Sequence, residues 1–136
     1  NHFVEFGEIA LQENNVLNLP EGNYLALLSH SGSRGLGAAI AKHYSLLARE
    51  VCRLPREAQH FAWLDLNTEA GQEYWMSMNL AGDYARACHE RIHLNLAKAL
   101  GLKPLANVNN HHNFAWKEEI TPGRMAIVHR KGATPA

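Results

Sequence analysis

The chain has 136 residues, 46% hydrophobic and 19% charged, a composition that can bury a core and excludes an intrinsically disordered chain. Lysine plus arginine and aspartate plus glutamate balance at 13 each, so overall charge gives no argument for nucleic acid and any polyanion site must be local. No apolar run approaches the ~20 residues of a membrane-spanning helix and nothing resembles a signal peptide, so no membrane partner is expected.

The first ten residues read as a strand carrying Phe3, Phe6 and Ile9. The chain opens directly in it at Asn1, which we read as the sign of a piece of a longer protein. Turn residues Asn14-Asn15 and Pro20-Glu21-Gly22-Asn23 lead to residues 24–29, a nearly continuous apolar run typical of a strand buried on both faces. That strand ends at His30, and a glycine loop, Ser31-Gly32-Ser33-Arg34-Gly35-Leu36-Gly37, follows it. Residues 36–52 have helical spacing, with Leu36, Ile40, Tyr44, Leu47 and Val51 on or near one face. Pro55 breaks the chain, and Phe61, Trp63, Leu64 and Leu66 of the connector are expected to cover the core.

Residues 68–100 read as helical, with Met76, Leu80, Tyr84, Cys88, Ile92, Leu96 and Leu100 recurring at spacings of four as a packed stripe. Gly82 leaves either one bent helix or two, and Gly101 stops the run. Residues 106–116 and 124–130 complete the strands, with Pro122-Gly123 as a turn. The pattern predicts an α+β fold: a mixed sheet from segments near 2–10, 23–30, 106–116 and 124–130, with the helices near 36–51 and 68–100 packed on it. Cys52 and Cys88 lack paired spacing and read as buried thiols of a reducing compartment.

Nine histidines are the one compositional excess, and histidine is both the commonest metal ligand and the proton carrier of neutral pH. The glycine loop after His30 could gather backbone N–H groups around an anion, with a helix dipole and the Arg34 guanidinium in support. Its spacing matches neither the Walker loop nor the dinucleotide fingerprint, and a tight strand-to-helix turn uses glycines equally well. His30 ends a buried strand, where side chains point into clefts; taken alone, it and His2 read more often as hydrogen-bonded structural residues than as ligands.

His111 and His112 face opposite ways on an extended segment, so one of the two enters any given site. The asparagines around them suit phosphate contacts and turns alike. His89 and His93 have the i, i+4 spacing of a two-histidine metal site without a third ligand, and with His43 and His60 they read as a solvated face. His129, Arg130 and Lys131, ahead of Gly132, form a basic group at a strand end, open either to a phosphate role or to plain solvation.

Four stretches in order resemble the RtcB family of RNA ligases: Asn1-His2-Phe3-Val4-Glu5, His30-Ser31-Gly32-Ser33-Arg34-Gly35-Leu36-Gly37, His111-His112-Asn113 and Val128-His129-Arg130-Lys131-Gly132-Ala133-Thr134. One such motif is weak evidence; four in the family's order are strong. The resemblance covers essentially the whole chain and implies that residues 1–136 are the central part of a catalytic domain truncated at both ends. It implies a cytoplasmic enzyme joining RNA 2′,3′-cyclic-phosphate or 3′-phosphate ends to 5′-hydroxyl ends, with tRNA halves or damaged RNA as partners. GTP and two manganese ions would be the cofactors, acting through a guanylated histidine.

By the same resemblance His2 is a ligand of one manganese, and His30 and His112 are ligands of the other. Asn1 and Glu5 would face the guanine nucleotide, Asn113 its phosphate groups, and Arg34 and Lys131 the RNA phosphates. His112 is preferred to His111 because the family's histidine immediately precedes an asparagine; the His-His-Asn form departs from the Ala-His-Asn of many members. The family's Asp-and-Cys motif is expected before residue 1 and its GMP-accepting histidine after residue 136, and neither Cys52 nor Cys88 replaces the bridging thiolate. The chain alone is therefore expected to be inactive and to hold metal weakly. The alternatives are a non-catalytic RNA-binding paralogue and a metal-dependent phosphoesterase; oligomeric state is left open.

Overall fold

A computed structural model describes residues 2–133. The chain divides into two compact units, one running to Pro104 and one starting at Leu105. The fold is α+β, as expected.

In the first unit β1 (Phe3–Leu11) and β2 (Gly22–His30) pair antiparallel, in register from Phe3 opposite His30 to Leu11 opposite Gly22. Asn15 organises the long connection. Its side-chain amide donates to the carbonyls of Gln12 and Leu19 at 2.8 and 2.7 Å, and its oxygen accepts from the backbone N–H groups of Leu17 and Leu19. Asn14 and Asn18 adopt left-handed φ values of 58° and 52°, a region that asparagine tolerates. The loop thereby sets the pairing that brings the start of β1 beside the end of β2.

Helix α1 (Arg34–Val51) follows, then a short 3-10 segment (Arg56–Phe61), then α2 (Glu69–Leu100), a single helix that runs through Gly82 without interruption. Helix α2 packs on α1 and on β2. Its start is held by Thr68, whose hydroxyl accepts from the Gly71 N–H at 3.2 Å and donates to the Asp65 carbonyl at 2.6 Å. Its end is Gly101, at φ 65°, with the Leu102 N–H reaching back to the Ala97 carbonyl at 2.8 Å. Among the described residues, no helix is long and apolar enough to cross a membrane.

The buried apolar residues of the described part are Leu11, Ala48, Ala81, Ala85 and Ala97, and Gly71 and Gly82 of α2 are buried as well, so helix contacts are made by small residues at close approach. The stripe expected at spacings of four is only partly right. Met76, Leu80, Tyr84 and Leu100 are exposed, whereas Cys88, Ile92 and Leu96 are half-buried. Four residues turn a helix by about 40° beyond a full circle, so a long run at that spacing winds round the helix instead of staying on one face. Phe61 and Trp63 are also exposed, against the expectation that they cover the core, while Leu64 and Leu66 are half-buried.

In the second unit β3 (Asn113–Thr121) and β4 (Arg124–Lys131) form an antiparallel hairpin from Asn113 opposite Lys131, with an irregularity between Glu119 and Thr121. The four strands therefore lie in two separate two-stranded antiparallel sheets, where the sequence reading expected one mixed sheet. Residues 106–112 are irregular, although they were expected to open a strand. Asparagine side chains compete for backbone hydrogen bonds, and this segment is rich in them. Asn113 illustrates the point: its side-chain oxygen accepts from the Gly132 N–H at 2.8 Å and closes the hairpin mouth.

Candidate functional site

The register of β1 against β2 creates the site. Phe3 lies opposite His30 and stacks on its ring, with centroids 5.5 Å apart and planes at 14°. His2, one residue earlier, comes within 6.3 Å of the same ring, centroid to centroid. The glycine loop then turns the chain into α1, whose first residue, Arg34, takes a left-handed φ of 56°. For a residue with a side chain that conformation costs on the order of 1 kcal/mol. The Arg34 Nη1 lies 2.7 Å from His2 Nδ1. A guanidinium only donates, so Nδ1 accepts and the neutral His2 ring carries its proton on Nε2.

His2, His30 and Arg34 share a cleft of about 580 Å³ with residues of α2, notably Arg91 and Asn95. That volume is within the range of ordinary ligand clefts, roughly 300–1,000 Å³. Loss of hydration and the nearby Arg34 charge hold the His2 pKa below its usual value, which keeps the ring neutral. A neutral imidazole is the form that ligates a metal. Both rings have the donor chemistry of a divalent-metal site, and His2 would offer its lone pair to an ion only once Arg34 left Nδ1. They are an incomplete set: among the described residues, no group of three or more His, Cys, Asp or Glu side chains could hold an ion.

Of the other candidate residues, Asn1 lies outside the described residues. Glu5 is exposed on β1 opposite Leu28 and does not line the cleft. His112, Asn113 and Lys131 belong to the second unit, at the mouth of its hairpin. There His112 Nδ1 lies 3.1 Å from the Asn113 side-chain nitrogen, while His111 stacks on Phe114 with centroids 4.9 Å apart. The adjacent histidines thus make different contacts. The basic group at the end of β4 also divides. Arg130 is held by Glu118 through two contacts, at 2.5 and 2.8 Å, and lies 5.1 Å over the Trp116 ring. Its hydrogen bond drives the Glu118 carboxyl below the usual carboxylate range. Arg130 therefore serves the hairpin, and strand alternation sends its neighbours His129 and Lys131 to the other face.

His89 and His93 correct another expectation: they are half-buried against the sheet, not a solvated face. Ser29 Oγ lies 2.8 Å from His93 Nε2, and His89 Nε2 is shielded from solvent with no hydrogen bond among the described residues. Burial, reinforced by His89, lowers the His93 pKa. A histidine with a depressed folded pKa resists a proton that the unfolded chain accepts, so stability falls as pH drops below about 6.5 and levels off below the folded value. Melting curves between pH 7.5 and 5 should show this loss, and His93→Gln should flatten it. An unchanged pH profile in that variant would remove His93 as the cause.

The sequence offered little sign of Arg91 and Asn95, which lie four apart on α2 without a motif around them. Only the packing of α2 on β2 puts them beside His2 and His30.

Comparison with known proteins agrees with the motifs. A family model described as tRNA-splicing ligase RtcB matches residues 1–136. The chain is similar over its whole length to the tRNA-splicing ligases RtcB of Methanocaldococcus jannaschii, at 31% identity, and Methanococcus maripaludis, at 29%. It is 27% identical to the RNA-splicing ligase RtcB of Escherichia coli K12. It spans 16%, 32% and 34% of those three proteins, about a third of their length or less.

Proposed function

This chain belongs to the RtcB family of tRNA-splicing ligases, and from that premise we propose that the whole protein is a cytoplasmic RNA ligase. It joins 2′,3′-cyclic-phosphate or 3′-phosphate ends to 5′-hydroxyl ends, in tRNA splicing or RNA repair, with GTP and two manganese ions. The observation that carries this reading is the convergence of His2, His30 and Arg34 on one cleft at the end of a strand hairpin.

In this proposal His2 and His30 are manganese ligands supplied by the first unit, and His112 is a manganese ligand supplied by the second. The bound ions supply neutralisation of phosphate charge and polarisation of the phosphorus under attack. Arg34 gives RNA phosphate a planar pair of N–H donors, and Lys131 adds a point charge. Asn1 and Glu5 orient the guanine nucleotide, and Asn113 faces its phosphates. Phe3, stacked on His30, limits that ring's rotation and so aims its donor nitrogen.

Labelled GTP with manganese tests the proposal. The natural-length protein should form a covalent guanylate and then seal 3′-phosphate to 5′-hydroxyl RNA, whereas the 136-residue chain alone should do neither. A full-length protein that binds RNA without becoming guanylated is the non-catalytic paralogue. One that hydrolyses a simple phosphoester without GTP is the phosphoesterase.

A further inference from the structure

We propose that Arg91, with Asn95 beside it, is a second anchor for the phosphates of the RNA strand, on the wall of the cleft formed by α2. The inference rests on the ligase reading above and extends it to residues outside the four motifs.

Three observations carry it. Arg91 lines the same cleft as Arg34, His2 and His30, yet comes from α2, an element distant in sequence from the hairpin and the glycine loop. Its side chain is exposed and makes no hydrogen bond or ion pair among the described residues. Other arginines are differently placed: Arg130 grips Glu118, and Arg86 lies 3.5 Å from Asp83. Finally, no aspartate or glutamate among the described residues lines the cleft, so nothing there answers two guanidinium charges.

A cleft that holds two arginines without a carboxylate attracts an anion with more than one charged group. Arg91 supplies a planar fork of donors matched to phosphate oxygens. Asn95 is one helical turn further along the same face and offers both a donor and an acceptor, which suits a phosphate oxygen or a ribose hydroxyl. A strand with one phosphate per nucleotide can engage Arg34 and Arg91 through successive phosphates along the cleft. The cleft is therefore assigned to the strand near its reacting end.

The test uses the natural-length protein and a short RNA ending in a 3′-phosphate, with affinity measured by fluorescence anisotropy over a range of salt concentrations. Arg91→Ala should weaken binding about tenfold, as expected for loss of a charge-assisted contact. It should also lower the slope of log affinity against log salt by about 0.7, the value for one phosphate contact on a single strand. Arg91→Lys should keep most of the salt slope while losing affinity severalfold, because the charge remains and the fork is gone. Arg86→Ala removes an equal charge from the same helix outside the cleft and should bind like wild type. Melting temperatures of the variants identify any loss due to unfolding.

If Arg91→Ala matches wild-type binding and salt slope while wild type binds RNA, the Arg91 anchor is overturned and the ligase reading stands. A greater loss for GTP than for RNA also overturns it, by assigning the residue to the nucleotide. Wild-type protein that binds no phosphate-ended RNA overturns the ligase reading itself.

Discussion

Gly71→Ala should destabilise the protein by about 3 kcal/mol, the upper end of what overpacking ordinarily costs. A methyl group built at Gly71 would lie 2.0 Å from the Asp65 carbonyl oxygen and 2.8 Å from the Leu66 Cα. Both obstacles are backbone, so no side-chain rotation relieves the collision. The Asp65 carbonyl is held in turn by the Thr68 hydroxyl and the Thr68 N–H, so moving it disturbs the cap that starts α2. Helix α2 carries His89, Arg91, His93 and Asn95, so the disturbance reaches one wall of the cleft. Thermal unfolding should show a fall in Tm of roughly ten degrees. Gly7→Ala is the control, since a methyl group there meets nothing within 4 Å. Equal melting temperatures for the two variants would refute the close approach at Gly71.

Under the proposed function, Arg34→Ala should have opposite effects on metal and on RNA. The neutral His2 ring has one lone pair for a metal, and the Arg34 guanidinium occupies it at Nδ1. Arginine at that nitrogen and a metal ion on it exclude each other. A guanidinium close to a divalent ion also repels it. Removing Arg34 should therefore tighten manganese binding severalfold, measured by calorimetry on protein without RNA. RNA joining should fall by about a hundredfold, because the phosphate loses a bidentate charged partner worth about 1.5–3 kcal/mol. Were His2 to hold a divalent ion, Arg34 would have to leave Nδ1, and its guanidinium would then be available to phosphate. Weaker manganese binding in the variant would mean that Arg34 supports the ligand instead of competing with it.

Local chemistry was legible before any coordinates. The apolar run before His30, the glycine loop, the long helix ending at Gly101 and the turn at Pro122-Gly123 each express a backbone preference over a few residues. The α+β class and the family follow from such segments and their order. Exposure was not legible in the same way. Met76 and Leu80 look like core residues at their spacing, yet the helix turns them outward, while Ala81 and Ala85 are buried.

Strand pairing was also underdetermined. Alternation marks a strand but does not name its neighbour, and the separation into two hairpins follows from two turns and their registers. Asn113, which the motif assigns to phosphate, also closes a hairpin mouth through its side-chain oxygen, a contact that no local pattern announces.

Residue order alone placed His2, His30 and Arg34 among the residues of interest, because short motifs carry donor type and loop shape without reference to distant partners. Tertiary structure alone set Arg34 on the lone pair of His2, brought Arg91 and Asn95 across from α2, and set the half-buried His93 against Ser29. Those contacts join residues dozens of positions apart. They depend on how the hairpin and α2 pack, which is a sum of many weak contacts along both elements and is not written in any one stretch of chain.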